Sequence, residues 1–223
     1  MLAQHTPLMY KPLVFVEGNI GSGKSTAAHE LAKRLNLRLL AEPVDEELLQ
    51  LFYDDKQRWS FPFQIEMLHR RWSMQVSAAA ETTVEGGYDG AMLDRCLWGD
   101  LVFAEALFKA GIIHPKEWAI YLRALRNMAL VLFPPTILLY LSARPETCLE
   151  RIQQRNRPPE QSITLEYLQI IHEGYLRRLE EAKTGRYPWS HAMQYMIVPW
   201  DPSTVDDRSW DRTAEMLREA FRR

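Results

Sequence analysis

Leu13-Val14-Phe15-Val16-Glu17-Gly18-Asn19-Ile20-Gly21-Ser22-Gly23-Lys24-Ser25 joins an apolar run to a glycine-rich turn. From Gly18 to Ser25 it fills every fixed position of the phosphate-loop pattern: a glycine, four free positions, then Gly-Lys-Ser. The apolar run before it and the helical pattern from Ala27 to Leu35 after it make it a turn between a strand and a helix. Glycines let the backbone fold tightly enough for the N–H groups of Gly18, Asn19, Ile20, Gly21, Ser22 and Gly23 to face one anion. The helix that opens with Lys24, Ser25 and Thr26 adds the partial positive charge of its N-terminus. Lys24 would reach the outer phosphates, and the Ser25 hydroxyl would ligate magnesium. The bland reading is an ordinary glycine-rich turn, which would fill this pattern only by chance. The stretch points to a bound nucleoside triphosphate.

Bulk properties narrow the class. A chain of 223 residues is long enough for one α/β domain with a sizeable core, here 1–223 with 1–12 as an N-terminal extension. Hydrophobic residues make up 47% and charged ones 25%, as expected of a globular protein. A net charge of −2 gives no electrostatic case for nucleic acid or an acidic membrane as partner. Cys96 and Cys148 fit no metal spacing and suggest a reducing compartment. Residues 1–12 resemble neither a secretory signal nor a transit peptide, and no apolar run approaches membrane-spanning length. The expected location is the cytoplasm.

Outward from the loop, strands and helices alternate. Leu37 to Ala41 reads as a strand stopped by Pro43, and Glu46 to Tyr53 as a helix. A long helical pattern runs from about Phe63 to Thr83, with Ile65, Leu68, Trp72 and Val76 at helical spacing. Gly86-Gly87 and Asp89-Gly90 mark a turn before the strand Ala91 to Arg95. Helices follow at Leu97–Ala110 and Pro115–Val131, the latter ended by Pro134-Pro135, and then the continuously apolar strand Thr136 to Leu141. Helices at Glu146–Arg155 and Leu165–Lys183, a strand at Gln194–Val198 and a helix at Asp206–Arg222 complete the chain. The repeat predicts a parallel sheet covered on both faces, with its site at the strand C-termini. The phosphate loop, Glu42 and Asp94-Arg95 all fall at such ends.

Each of these groups admits two readings. Glu42 is either a proton acceptor for a substrate hydroxyl or a carboxylate paired with a nearby cation. Asp94 could hold magnesium and Arg95 could neutralise charge on a transferred group, or the two form a structural ion pair. Arg151 and Arg155 share a helix face and Arg157 follows at the Pro158 break, as a solvated basic face or as a lid closing on phosphates. A phosphate loop nearby favours the lid. Trp59 to Gln64 joins aromatics to an amide: Phe63 could stack on a base while Gln64 reads its edge, or both could be core.

In order along the chain, Glu17 to Ser25, Glu42-Pro43-Val44, Tyr53, Trp59 to Gln64, Asp94-Arg95, Leu139 to Arg157 and Leu165 to Leu168 resemble the deoxyribonucleoside kinase family, in its short bacterial-type form. The resemblance covers Leu13 to about Leu179. It implies a P-loop kinase fold with a five-stranded parallel sheet, helices on both faces and an arginine-rich lid. It also implies a homodimer that uses magnesium–ATP to phosphorylate the 5′-hydroxyl of a deoxynucleoside. By that likeness Glu42 is the base for the 5′-hydroxyl, Arg95 supports it, and Asp94 belongs to the magnesium shell with Ser25. Gln64 and Phe63 would take the base, Tyr53 and Glu160 the sugar 3′-hydroxyl, and Arg151, Arg155 and Arg157 the lid.

Arg71 lies about two helical turns beyond Gln64, on the same face, and Asp100 occupies the family's base-reading position. An Arg–Asp pair there resembles members acting on deoxycytidine or purine deoxynucleosides rather than thymidine. The short spacing from Glu42 to Tyr53 resembles the bacterial purine-type members, so a purine is the expected base. Three positions depart from the pattern: Cys96 replaces a serine or threonine, Ala104 replaces an aromatic with Phe103 one residue early, and Met67 narrows the pocket. The nearest alternative is a nucleoside monophosphate kinase of the thymidylate kinase type. It would want a cation near the acceptor phosphate where Glu42 stands. A non-catalytic subunit on the same scaffold would have no need of Lys24, Ser25, Glu42 and Arg95 together.

Overall fold

The computed structural model describes residues 11–42, 44–83, 87–132, 135–184 and 193–222. Residues 1–10 of the N-terminal extension and the breakers Pro43, Gly86 and Pro134 lie outside the described residues. Strands β1 (Leu13–Gly18), β2 (Leu37–Leu40), β3 (Gly90–Asp94), β4 (Ile137–Ser142) and β5 (Gln194–Pro199) form one parallel sheet in the order β2-β3-β1-β4-β5. The helices are α1 (Lys24–Leu35), α2 (Glu46–Asp54), α3 (Lys56–Thr83), α4 (Leu97–Lys109), α5 (Pro115–Leu130), α6 (Pro145–Arg155), α7 (Leu165–Lys183) and α8 (Asp207–Phe221). A 3-10 turn, Pro158–Ser162, follows α6.

Strand periodicity sorts the core into two layers. Leu13 and Phe15 of β1, Ala91 and Leu93 of β3, and Leu138 and Tyr140 of β4 face α3, α4 and α7. Val14, Val16, Met92, Leu139 and Leu141 face α1 and α8. Because both faces are covered, the central strands are apolar until their C-terminal ends, where Glu17, Asp94 and Ser142 stand. The chain leaves β1 toward β2 and β3 on one side and returns to β4 and β5 on the other. That reversal opens a crevice beyond the C-terminal ends of β1 and its neighbours, where ligands of such sheets bind.

Three expectations need correction. Helix α3 begins at Lys56, not near Phe63, and carries Pro62 inside it. Asp55 starts it by accepting the Arg58 N–H on its side chain (3.1 Å) and the Trp59 N–H on its carbonyl (3.0 Å). Packing against α2 and α4 outweighs the hydrogen bond that Pro62 cannot donate. Val76 is 40% exposed rather than core. The buried face of α3 runs instead through Leu68, Arg71, Gln75 and Ala78, so polar residues occupy core positions and blur the apolar period. Strand β3 stops at Asp94, and Arg95 takes a left-handed turn (φ 71°) that aims it across the strand ends.

Candidate active site

The loop between β1 and α1 is held in shape from outside. Gly21 (φ 77°) and Gly23 (φ 84°) occupy backbone conformations that disfavour side chains. A Cβ on Gly21 would lie 2.4 Å from the Cys148 carbonyl oxygen, because the loop presses on α6. Asn19 Nδ2 donates to the Leu168 carbonyl on α7 (2.8 Å), while its Oδ1 accepts the Ile20 N–H (2.9 Å). Lys24 Nζ donates to the Asn19 carbonyl (2.6 Å) across the loop. Burial, and next the Arg95 charge, push its pKa down to about 8. Ser25 Oγ donates to Asp94 Oδ2 (2.5 Å), and Asp94 Oδ1 is buried with no partner. Ser22, also in the loop, is buried with its hydroxyl unpartnered.

Beside the loop, four elements bring their charges together. Glu42, just beyond β2, accepts from Arg71 Nη2 of α3 and from Arg95 Nε (3.1 Å). Burial alone would raise the Glu42 pKa, but the Arg71 and Arg95 charges outweigh it and hold the carboxyl at about 2. Arg71 Nη1 reaches Asp100 of α4, whose other oxygen accepts the Tyr121 hydroxyl of α5 (2.5 Å). Burial works against the Arg71 charge, yet Asp100 and Glu42 keep its pKa above the ordinary value. The Arg95 ring of donors is spread further: Nη1 meets the Gly18 carbonyl (3.2 Å) and Tyr175 Oη (3.0 Å), and its face lies 4.7 Å from the Phe103 ring centre. Glu42 is therefore a paired carboxylate, held by two arginines beside the loop.

A cleft of about 360 Å³ connects the two groups. It is lined by Ile20, Gly21, Lys24 and Ser25 on the loop side, by Glu42, Arg71, Asp94 and Arg95 at its floor, and by Tyr53, Phe63, Gln64, Met67 and Phe103 on its walls. Phe63 stacks on Phe52 (4.7 Å, 17°), which fixes its ring plane. Gln64 is 3% exposed and its Oε1 has no partner, so it carries an acceptor ready for a ligand.

Not every expected residue meets the cleft. Asp100 is wholly buried behind Arg71 and touches the cleft only through it. The three arginines expected to form a lid separate: Arg155 binds Glu160 at 2.5 Å and Arg157 lies 3.9 Å from it, both at the cleft. Arg151 donates to the Pro202 carbonyl (3.0 Å) and faces a second hollow of about 320 Å³ with Gly23, Thr26 and Trp200. Ala104 points into the α3–α5 core, and Phe103 takes the aromatic place at the cleft. Tyr121 and Tyr175 escaped the sequence reading because nothing local marks a core tyrosine as a partner of a charge. Glu17 carried a usable signal, a carboxyl amid an apolar alternation.

The fold and the loop define an α/β protein with the P-loop kinase fold. The deoxynucleoside kinase family model matches residues 14–212, and the chain belongs to that family. It is 33% identical over 169 residues to a deoxyadenosine kinase of Dictyostelium discoideum and 32% identical over 194 residues to a deoxyguanosine kinase of the same organism. These matches cover 75% and 86% of this chain but 66% and 65% of the relatives, so the chain spans about two-thirds of their length. In fold it matches a solved deoxyadenosine kinase from M. mycoides with the products dCMP and a flexible dCDP bound (TM-score 0.74, 24% identity, 92% of this chain and 98% of that one).

Proposed function

We propose that the protein transfers the γ-phosphoryl group of ATP to the 5′-hydroxyl of a deoxynucleoside, with a purine base preferred over thymine. The observation that carries this reading is Glu42: a carboxylate at the strand ends, between the phosphate loop and an aromatic-walled cleft. A monophosphate acceptor would meet that carboxylate with a second negative charge. A neutral nucleoside meets it with a hydroxyl. The acceptor base would lie between Phe63 and Phe103, its edge toward Gln64 and Arg71, and the sugar 3′-hydroxyl toward Tyr53 and Glu160. The donor would run along the loop toward the hollow of Thr26, Arg151 and Trp200.

The charges around Glu42 say what kind of base it is. A carboxyl held at about 2 is a weak proton sink near neutral pH, and general bases work best with a pKa near the operating pH. Phosphoryl transfer through a loose transition state asks little of the base early on. Glu42 then acts first by accepting a hydrogen bond that aims the 5′-oxygen at the γ-phosphorus, and takes the proton as the oxygen becomes acidic. Arg95 and the lid arginines, Arg155 and Arg157, stabilise negative charge on the group in transit. The Ser25–Asp94 oxygen pair, with Asp94 Oδ1 unpartnered, suits a hard cation such as magnesium. Magnesium held there would take its remaining ligands from water and phosphate oxygens. Bound there, magnesium would neutralise charge on the donor phosphates.

A homodimer joined through α3 and α5 is part of the reading. Phe61, Ile65 and Trp72 of α3 with Trp118, Leu122 and Leu125 of α5 leave a half-buried apolar face, which light scattering on a sizing column would test. No helix among the described residues is long and apolar enough to cross a membrane, and the free, buried Cys96 and Cys148 fit a cytoplasmic protein. The deciding experiment is ATP-dependent turnover on the four deoxynucleosides, their ribose counterparts and the monophosphates. Turnover of deoxyadenosine or deoxyguanosine above thymidine is expected. Turnover of monophosphates alone would replace this reading with the monophosphate kinase one.

A further inference from the structure

Glu17 ends the apolar alternation of β1 on the face that carries Leu13 and Phe15, and its side chain is wholly buried. Both its oxygens are engaged as acceptors. Oε1 takes the Cys96 N–H (2.9 Å) and the Cys96 Sγ–H (3.1 Å), and Oε2 takes the Tyr175 O–H (2.8 Å). Room for the carboxyl is made by Gly99 of α4, where a Cβ would stand 2.2 Å from Oε1. Since the Tyr175 proton points to Glu17, a lone pair of the same hydroxyl is left to accept from Arg95 Nη1 at 3.0 Å. Glu17 Oε2 itself lies 3.7 Å from that nitrogen.

We propose that Glu17 is a positioning residue: through Tyr175 it fixes the Arg95 guanidinium in the orientation that serves phosphoryl transfer. The inference rests on the deoxynucleoside kinase reading above. Arg95 has further anchors in the Gly18 carbonyl, at 3.2 Å from the same Nη1, and in Glu42, but a substrate hydroxyl bound to Glu42 competes for that carboxylate. The Tyr175–Glu17 arm sits behind Arg95, away from substrate, and stays in place when Glu42 is engaged. A carboxylate suits the position, because both its oxygens accept there. A glutamine would set its NH₂ against either the Cys96 N–H or the Tyr175 O–H. Cys96 belongs to the same device: at the start of α4 its side chain caps no helical N–H and turns to Glu17 instead. A serine there could donate to the same oxygen.

The test compares Tyr175→Phe, Glu17→Gln, Gly99→Ala and Cys96→Ser with the wild type. The first three should each lower kcat by about tenfold to a hundredfold with KM for the deoxynucleoside nearly unchanged, and Glu17→Gln combined with Tyr175→Phe should be no worse than the poorer single variant. Cys96→Ser should restore wild-type turnover where Cys96→Ala does not. A second readout is independent of turnover: in protein labelled with ¹⁵N-arginine, the Arg95 Nη1–H signals, which Tyr175 accepts, should exchange with solvent faster in Tyr175→Phe. Unchanged kcat and unchanged Arg95 exchange in Tyr175→Phe, with only a lowered Tm, would overturn the proposal. If Glu17→Gln fails to fold, Tyr175→Phe decides alone, since it removes one oxygen and keeps the ring. A wild type that phosphorylates no deoxynucleoside would sink the functional reading, while the exchange measurement would still judge the role of Glu17.

Discussion

The loop Gly18 to Ser25 and the charges around Glu42 meet at the same strand ends, but they are held by different means. The loop is a continuous stretch shaped by backbone conformation, with Gly21 and Gly23 at positive φ and the Asn19 and Lys24 side chains bonded to nearby carbonyls. The Glu42 cluster has no continuous stretch. Glu42, Arg71, Arg95 and Asp100 come from four places in the chain, and each depends on a partner that the others supply. A local motif tolerates changes in the rest of the fold as long as its support surfaces stay put. A buried ionic network fails as a unit when one member is removed, because the survivors are left uncompensated.

Changing each side in turn should separate them. Glu42→Gln should cost about 10²–10⁴ in kcat, the range of a lost general base, with ATP affinity nearly kept. Equal losses in kcat and in ATP binding would mean that the two regions are not separable. Arg71→Met with Asp100→Ala removes the pair proposed to read the base, and each lost buried partner is worth roughly 1–3 kcal/mol. The ratio of kcat/KM for thymidine over deoxyguanosine should rise. An unchanged ranking would exclude the pair as the specificity element. The same substitution frees Glu42 of one cation, so its pKa should rise from about 2 and the acid limb of the kcat/KM profile should move to higher pH.

On the donor side Gly21→Ala forces a left-handed backbone on a residue with a Cβ, at roughly 1–3 kcal/mol for such strain, and drives that Cβ into the Cys148 carbonyl. Calorimetric titration with a non-hydrolysable ATP analogue should show weakened binding, while nucleoside binding is spared. The smallest effect is electrostatic. Lys24 titrates near 8 without a bound anion, and triphosphate binding needs its charged form. Affinity should fall by up to about tenfold per pH unit above 8, with proton uptake on binding. The stability sign is opposite. The unfolded Lys24 holds its proton longer, so burying it costs stability below pH 8, and that cost fades as pH rises toward the ordinary lysine value. Affinity flat from pH 7 to 9 would place Lys24 away from the phosphates.

Much of the architecture was legible because it is periodic. Alternating strands and helices and the phosphate loop are local patterns, and a parallel sheet covered on both faces follows from them. Helix α3 starts at Lys56, ahead of the helical pattern near Phe63, because the packing that carries it through Pro62 does not show in the sequence. Residues expected at the cleft from motif and resemblance mostly line it, among them Tyr53, Phe63, Gln64 and Arg71. Arg151 and Asp100 do not, since a shared helix face or a sequence offset gives direction only to within part of a turn.

The sequence by itself determined the donor side, because a run of glycines followed by Lys24 and Ser25 constrains its own backbone wherever it stands. Tertiary structure alone decided the acceptor side. Only the folded chain lowers Glu42 to about 2, places Asp100 behind Arg71 and sets Tyr175 between Glu17 and Arg95. The physical reason is range: backbone geometry is set within a few residues, whereas the strength of a charge depends on every partner and on the water that folding removes.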